Sequence, residues 1–138
     1  MFHAAGIPIL EGYGLTETSP VIAVNSFEHT KIGSVGRPIK NIDVKIQKDG
    51  EITVKGPTVT QGYYKDEKQT KEAFTEDGYF KTGDIGILDK DNFLFITDRK
   101  KEMFKTSGGK YVAPQVIENL AKASQFIEQI MVVGDGEK

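Results

Sequence analysis

The stretch Thr97-Asp98-Arg99-Lys100-Lys101-Glu102, continued by Met103-Phe104-Lys105-Thr106-Ser107-Gly108-Gly109-Lys110, decides how this chain is read. It follows the apolar run Phe93-Leu94-Phe95-Ile96, which predicts a strand leaving one packed unit, and it carries a cluster of cations to a Gly-Gly turn that starts another. The expectation is a hinge. Arg99, one of two arginines in the chain, stands beside Asp98 and three residues before Glu102, with Lys100, Lys101, Lys105 and Lys110 close behind. Cations concentrated where the chain crosses between units suit an anionic ligand, a phosphate or a carboxylate. A solvated charge run has the same composition. What favours the ligand is the sequence upstream.

Length and composition bound the possibilities. The 138 residues can bury one core, or two small units of which neither need be complete. Twenty acids against eighteen bases give a net charge of −2, which argues against nucleic-acid binding by a basic surface. The absence of cysteine excludes disulfides, thiolate metal sites and a cysteine nucleophile, and is compatible with a cytoplasmic protein. His3 and His29 lie in different segments without metal-site spacing and read as structural. No apolar run approaches the roughly 20 residues of a membrane helix, and no signal-peptide pattern opens the chain, so the protein is expected to be soluble or at most peripheral to a membrane. Phe2-His3-Ala4-Ala5-Gly6 reads as the last turn and terminal glycine of a helix, and Asp135-Gly136-Glu137-Lys138 as a turn with nothing after it. Both ends predict a piece of a longer protein.

Ile7-Pro8-Ile9-Leu10 predicts a short apolar strand running into Glu11-Gly12-Tyr13-Gly14-Leu15-Thr16-Glu17-Thr18-Ser19-Pro20, a glycine-punctuated loop rich in hydroxyls. Tyr13 between two glycines can lay its ring against a flat base, Thr16 can donate to a phosphate oxygen, and Glu17 can offer hard oxygen to Mg²⁺. A capping turn with Thr16 or Thr18 as N-cap accounts for the same residues equally well. Further on, Ile39, Ile42, Val44 and Ile46 alternate up to Lys48-Asp49-Gly50, with Ile52 and Val54 beyond, which predicts a hairpin. Gly33-Ser34-Val35-Gly36-Arg37-Pro38 lacks the spacing of a dinucleotide fingerprint and reads, with Arg37, as structural.

Asp66 to Phe74 predicts a short helix capped by Asp66 or Thr70, its Ala73-Phe74 end packed on the sheet. In Thr82-Gly83-Asp84-Ile85-Gly86, Asp84 is a carboxylate between two glycines at the mouth of an apolar strand. So placed, it can accept hydrogen bonds from two vicinal hydroxyls, the chemistry by which an acid reads ribose. Asp89-Lys90-Asp91-Asn92 predicts another hairpin turn; it fails as a calcium loop because Phe93 takes a ligand position. Ser107-Gly108-Gly109-Lys110 fails as a P-loop, whose first glycine would fall at Phe104. Pro114 opens a helix with Val116, Ile117 and Leu120 on one face, and Phe126 to Val133 predicts a strand. One helix on so few strands leaves an apolar face uncovered.

Gly12-Tyr13-Gly14-Leu15-Thr16-Glu17-Thr18, then Gly83-Asp84, then Asp98 to Glu102 with Ser107 to Pro114, occur in the order and rough spacing of the adenylate-forming enzymes, the superfamily of acyl-CoA synthetases, peptide-synthetase adenylation domains and firefly-type luciferases. The resemblance spans essentially the whole chain and rests on three separate motifs. Asp98 to Pro114, with Ile117-Glu118-Asn119 and Ile127-Glu128-Gln129, looks most like the long-chain fatty acyl-CoA synthetases.

The resemblance implies an α+β fold: the end of an N-terminal nucleotide-binding subdomain over 1–29, a mostly antiparallel distorted β-barrel subdomain over 30–97, a hinge at 98–102, and the start of a small α+β C-terminal domain over 103–138. It implies that Tyr13 stacks on adenine, Thr16 contacts the α-phosphate, Glu17 holds Mg²⁺, and Asp84 binds both ribose hydroxyls with help from Arg99. Lys101 matches the pivot about which the C-terminal domain swings between half-reactions, and Lys105 and Lys110 fall on the face used by the thiol. ATP, Mg²⁺, coenzyme A and a fatty acid are the implied cofactors and partners, with an acyl carrier protein as the alternative thiol. The implied place of work is the cytoplasm, at most peripheral to the inner face of the membrane.

The family's phosphate loop, its large N-terminal subdomains and the lysine that catalyses adenylation fall outside these residues. The chain alone is therefore expected to be inactive. A module that binds an adenine nucleotide or a partner without chemistry is the rival reading.

Overall fold

The computed structural model describes residues 5–100, 103–105 and 111–134. Strands β1 (Gly12–Gly14), β2 (Val21–Val24) and β3 (Arg37–Pro38) form an antiparallel sheet in that order. Gly12 pairs with Val24 and Tyr13 with Ala23, and the Asn25 N–H extends the ladder to the Glu11 carbonyl at 2.9 Å. The strand expected at Ile7–Leu10 is instead loop, with Ile7 and Ile9 half exposed. Pairing begins only where β2 offers a backbone partner, and Pro8 has no N–H to give a ladder.

A second antiparallel sheet holds β4 (Asp43–Ile46), β5 (Glu51–Lys55), β6 (Phe80–Leu88) and β7 (Leu94–Arg99) in sequence order. The β4–β5 hairpin has the register that the alternation predicts, Val44 opposite Val54 and Ile46 opposite Ile52. Its turn closes through Gly50 N–H to the Gln47 carbonyl at 2.9 Å, with Gly50 at φ +86°, a left-handed conformation that glycine adopts without cost to a side chain. At the β6–β7 turn, Asp89 Oδ1 accepts the N–H groups of Asp91 and Phe93, both at 2.9 Å, and Lys31 pairs with the same Asp89 carboxylate. This acid serves the turn. No cluster of three or more metal-type ligands occurs among the described residues.

The two sheets are joined where Val35 N–H donates to the Leu94 carbonyl (2.9 Å) and Leu94 N–H to the Gly36 carbonyl (2.8 Å). Between them lies one core, Ile22 and Ala23 from the first sheet with Ile42, Ile52, Val54, Phe80 and Leu94. Each large side chain removed from water there contributes about 1.5–3 kcal/mol. The result is a distorted, incomplete antiparallel barrel. Arg37 stacks over the Phe93 ring at 4.6 Å, the structural role expected of it.

Helix α1 (Glu67–Ala73) starts at Asp66, whose Oδ1 accepts the Gln69 N–H at 2.9 Å, and Phe74 just beyond its end packs edge-on against Phe80 with centroids 5.4 Å apart. β8 (Phe104–Lys105) and β9 (Tyr111–Val112) form a separate hairpin, followed by α2 (Pro114–Lys122) with its proline in the first turn. Val116, Ile117 and Leu120 are exposed, the uncovered face that so small an α+β unit predicts. Phe126 to Val133 is not a strand. Among the described residues no neighbouring backbone pairs with it, and Val132 N–H donates instead to Glu118 Oε1 at 2.8 Å. None of the described helices is long and apolar enough to cross a membrane.

Strand β7 runs past the apolar residues that announce it. Asp98 and Arg99, the first two residues of the expected hinge, are ladder residues opposite Ile85 and Asp84. Lys101 and Glu102, the Gly108-Gly109 turn, Lys110 and both chain ends lie outside the described residues.

Candidate functional site

The pairing of β6 with β7 sets Arg99 directly across from Asp84, and the pairing of β1 with β2 turns Tyr13 toward the same place. The Tyr13 hydroxyl donates to Asp84 Oδ2 at 2.6 Å, and Arg99 Nε sits 3.2 Å from Asp84 Oδ1. Asp84 is 4% exposed, whereas the Arg99 side chain is 62% exposed. Burial, reinforced by the hydrogen bond to Asp84, pushes the Tyr13 phenol above its usual range, so Tyr13 is a donor at any physiological pH. A carboxylate offers about four acceptor positions, of which Tyr13 and Arg99 use two. Asp84 can therefore take two more donors, such as a pair of hydroxyls.

The Gly83-Asp84 turn is held by its own hydrogen bonds. Thr82 Oγ1 accepts the Asp84 N–H at 3.1 Å and donates to the Ile52 carbonyl at 2.8 Å. Gly83 stands at φ +77°; its N–H has a partner on β5, Glu51, and its carbonyl a partner just past the end of β7, Lys100.

After β1, a 3₁₀ turn over Thr16–Thr18 carries the next two candidates. Thr18 is buried; its hydroxyl accepts the Leu15 N–H at 3.0 Å and lies 2.9 Å from the carbonyls of Leu15 and Pro20. It braces the turn from within, and Thr16 is left exposed. Glu17 Oε1 accepts the Tyr63 hydroxyl at 3.1 Å, and the Glu17 carbonyl accepts the Thr60 N–H at 2.7 Å. Burial first, then the Glu17 carboxylate, raises the Tyr63 phenol. Glu17 lines a cavity of about 670 Å³ together with Glu51, Tyr63, Lys81, Gly83 and Lys100. The Glu17 carboxylate offers hard oxygen that suits a divalent cation, and Lys81 on the same lining carries an ammonium that suits a phosphate oxygen.

The structure thus gathers Tyr13, Asp84 and Arg99 into one contact set, with Glu17 on the adjoining cavity. Lys101 and Lys110 lie outside the described residues, and Lys105 is described by its backbone alone, in β8. Asp98 is 1% exposed; Oδ1 accepts the Arg99 N–H at 2.6 Å, and Oδ2 has no donor among the described residues.

Sequence reasoning passed over Glu51. In the alternating hairpin, Glu51 and Thr53 occupy the face opposite Ile52 and Val54, which reads as solvent-facing. In the fold β5 is buried on both faces, with Glu51 5% and Thr53 0% exposed. Lys100, seen in the sequence as part of a basic run, is bound to Asp49 at 2.7 Å and to Glu51 at 2.6 Å.

Known proteins resemble this chain over almost its whole length. A family model described as AMP-binding enzyme matches residues 1–64. The long-chain-fatty-acid–CoA ligase FadD15 of Mycobacterium bovis is 50% identical over 136 residues, covering 99% of this chain and 22% of that protein. The 2-succinylbenzoate–CoA ligase of Listeria innocua is 42% identical, covering 95% of this chain and 28% of that protein. Among solved structures, O-succinylbenzoate coenzyme A synthetase (MenE) of Bacillus subtilis in complex with AMP superimposes with a TM-score of 0.83 at 32% identity, over 99% of this chain and 30% of its own. The same enzyme in complex with ATP and magnesium ion gives 0.75 at 34% identity, over 87% of this chain and 27% of its own. The chain therefore spans less than a third of the length of the relatives it matches. With its motifs, its antiparallel fold and these likenesses taken together, the chain belongs to the adenylate-forming, AMP-binding enzyme superfamily.

Proposed function

We propose that this chain is part of an ATP-dependent acyl-CoA ligase that activates a long-chain fatty acid and hands it to coenzyme A. The observation that carries the reading is the Tyr13–Asp84–Arg99 set, a buried carboxylate with acceptor capacity left over beside an aromatic ring and a guanidinium. Asp84 takes the two ribose hydroxyls, Tyr13 lies against the adenine, and Arg99 steadies Asp84 from the solvent side. Thr16 donates to the α-phosphate. Glu17 holds Mg²⁺, which supplies positive charge to the phosphates.

In the first half-reaction a carboxylate oxygen of the acid attacks the α-phosphorus and the bond to pyrophosphate breaks, giving the acyl-adenylate. In the second the sulfur of coenzyme A attacks the acyl carbon, and AMP leaves with the C–O bonding pair. The residues of this chain act by positioning and by neutralising charge that develops on phosphate. Lys101 serves as the pivot between the two poses, with Lys105 and Lys110 on the face presented to the thiol. The enzyme works in the cytoplasm.

The likeness to FadD15 favours a long-chain acid; the likeness to 2-succinylbenzoate–CoA ligases supports an aromatic dicarboxylate as the second reading. The test is pyrophosphate release by the full-length parent with ATP, Mg²⁺ and coenzyme A across a panel of fatty acids and 2-succinylbenzoate. Fastest turnover with long-chain acids is expected. Fastest turnover with 2-succinylbenzoate would replace the acid and leave the ligase, and no acid-dependent pyrophosphate release would overturn the reading altogether.

A further inference from the structure

Glu51 lines the cavity beside the candidate site, yet none of the binding roles falls to it. It is buried, 5% exposed, and its two oxygens point two ways. Oε1 accepts the Gly83 N–H at 3.1 Å; Oε2 accepts Lys100 Nζ at 2.6 Å. The Lys100 N–H in turn donates to the Gly83 carbonyl at 2.8 Å, and its Nζ also binds Asp49 at 2.7 Å. Glu51 and Lys100 therefore grip Gly83 at both its N–H and its carbonyl.

Packing does not do this job. A Cβ placed on Gly83 would meet nothing within 4 Å, so no neighbour packs against that side of the half-buried residue before Asp84, at φ +77°. Glycine crosses between backbone conformations easily, and only directed hydrogen bonds can confine it there. The buried carboxylate supplies one of them, from a charged acceptor, the stronger kind.

We propose that Glu51 is a positioning residue for the nucleotide's ribose: it touches no ligand, and it fixes the Gly83 peptide so that Asp84 presents its carboxylate to the 2′- and 3′-hydroxyls together. This deepens the reading of Asp84 given above and rests on it. Two hydroxyls on one carboxylate tolerate little displacement, so loosening Gly83 costs the recognition of one hydroxyl before it costs binding altogether.

The experiment is the ratio of kcat/KM for ATP to that for 2′-deoxy-ATP, measured by pyrophosphate release from the full-length parent. Wild type prefers ATP. Glu51→Ala lowers that preference by about fivefold or more, since a lost hydroxyl contact no longer discriminates. Glu51→Asp keeps the charge beside Lys100 but is one methylene too short for the Gly83 N–H; it loses the preference similarly and carries the test if the alanine variant does not fold. Glu51→Gln retains an acceptor for Gly83 and keeps the ratio within about twofold of wild type. A ratio undiminished in Glu51→Asp, even with a lowered melting temperature, overturns the proposal, because a merely structural acid gives that result. A wild-type parent that treats ATP and 2′-deoxy-ATP alike overturns the reading of Asp84 itself.

Discussion

The Tyr13 hydroxyl donates to Asp84 Oδ2 at 2.6 Å, tying a strand of the first sheet to a strand of the second across 71 positions of sequence. Burial and then this bond hold the phenol above its usual range. The unfolded chain releases the proton near pH 10, while the folded chain keeps it. Above that pH the unfolded state binds fewer protons than the folded one, so stability falls as pH rises; below it the contribution is complete. Tyr13→Phe is expected to cost about 1–2 kcal/mol at pH 7 and to make the alkaline decline shallower. Denaturant unfolding at pH 7 and pH 10.5 measures both, and an unaltered alkaline slope would place the shifted phenol elsewhere.

If Asp84 holds ribose, Asp84→Ala removes hydrogen bonds to a charged acceptor, each contributing about 1.5–3 kcal/mol. The KM for ATP in the full-length parent should rise at least about tenfold, with a smaller change in kcat, as expected for lost uniform binding. The fold should lose about the 1–2 kcal/mol of the Tyr13 hydrogen bond and little more, because Arg99, the cation left behind, is mostly exposed and can hydrate. An ATP saturation curve matching wild type would remove Asp84 from the site.

Local chemistry made much of this fold legible. Asp49-Gly50 sets the β4–β5 turn, Asp66 caps α1, and Pro114 opens α2, because each acts on backbone within a few residues of itself. Ile7–Leu10 and Phe126–Val133 have the apolar pattern of strands and are not strands, for one reason: an apolar run becomes a strand only if another backbone lies beside it, and that is decided elsewhere in the chain. The site divides the same way. Tyr13, Glu17, Asp84 and Arg99 could be proposed from residue type and motif order, but the partnerships of Glu17 with Tyr63 and of Glu51 with Gly83 and Lys100 span from 32 to 49 positions and leave no local trace.

Lys100 offers a second pH test, of opposite sign. The hydrogen bond from Lys100 is the main cause holding the Asp49 carboxyl below its usual range, and the bonds to Asp49 and then Glu51 raise the lysine. As pH falls through about 4 the unfolded chain protonates this acid before the folded chain does, so the stabilisation is present above that range and lost below it. Lys100→Met leaves the buried Glu51 without its ammonium partner. The cost should be about 1–2 kcal/mol, well under that of breaking a fully buried pair, because the Lys100 side chain is 45% exposed. Urea unfolding at pH 7 and pH 4 should show a smaller acid loss in the variant; an equal loss would mean that Asp49 is not held by Lys100.

Two glycines beside the site should respond differently to a methyl group. A Cβ on Gly14 would lie 1.6 Å from the Pro20 carbonyl oxygen and 2.6 Å from its carbon, in backbone that closes the Thr16–Thr18 turn, so something must move. Gly14→Ala is expected to cost about 3 kcal/mol or more, with the β1 bulge displaced and Tyr13 carried off Asp84. Gly83 has open space around its Cβ position and only its φ of +77° to protect. Gly83→Ala should cost about 1–2 kcal/mol, and Gly83→Asn less, since asparagine tolerates the left-handed region. Thermal unfolding of the three variants gives the order. If Gly83→Ala proved the most damaging, the turn would be confined by something other than its backbone angle, the hydrogen bond it donates to Glu51 and the one it accepts from Lys100. If Gly14→Ala proved mild, the close approach of β1 to Pro20 could not be what delivers the Tyr13 hydroxyl to Asp84.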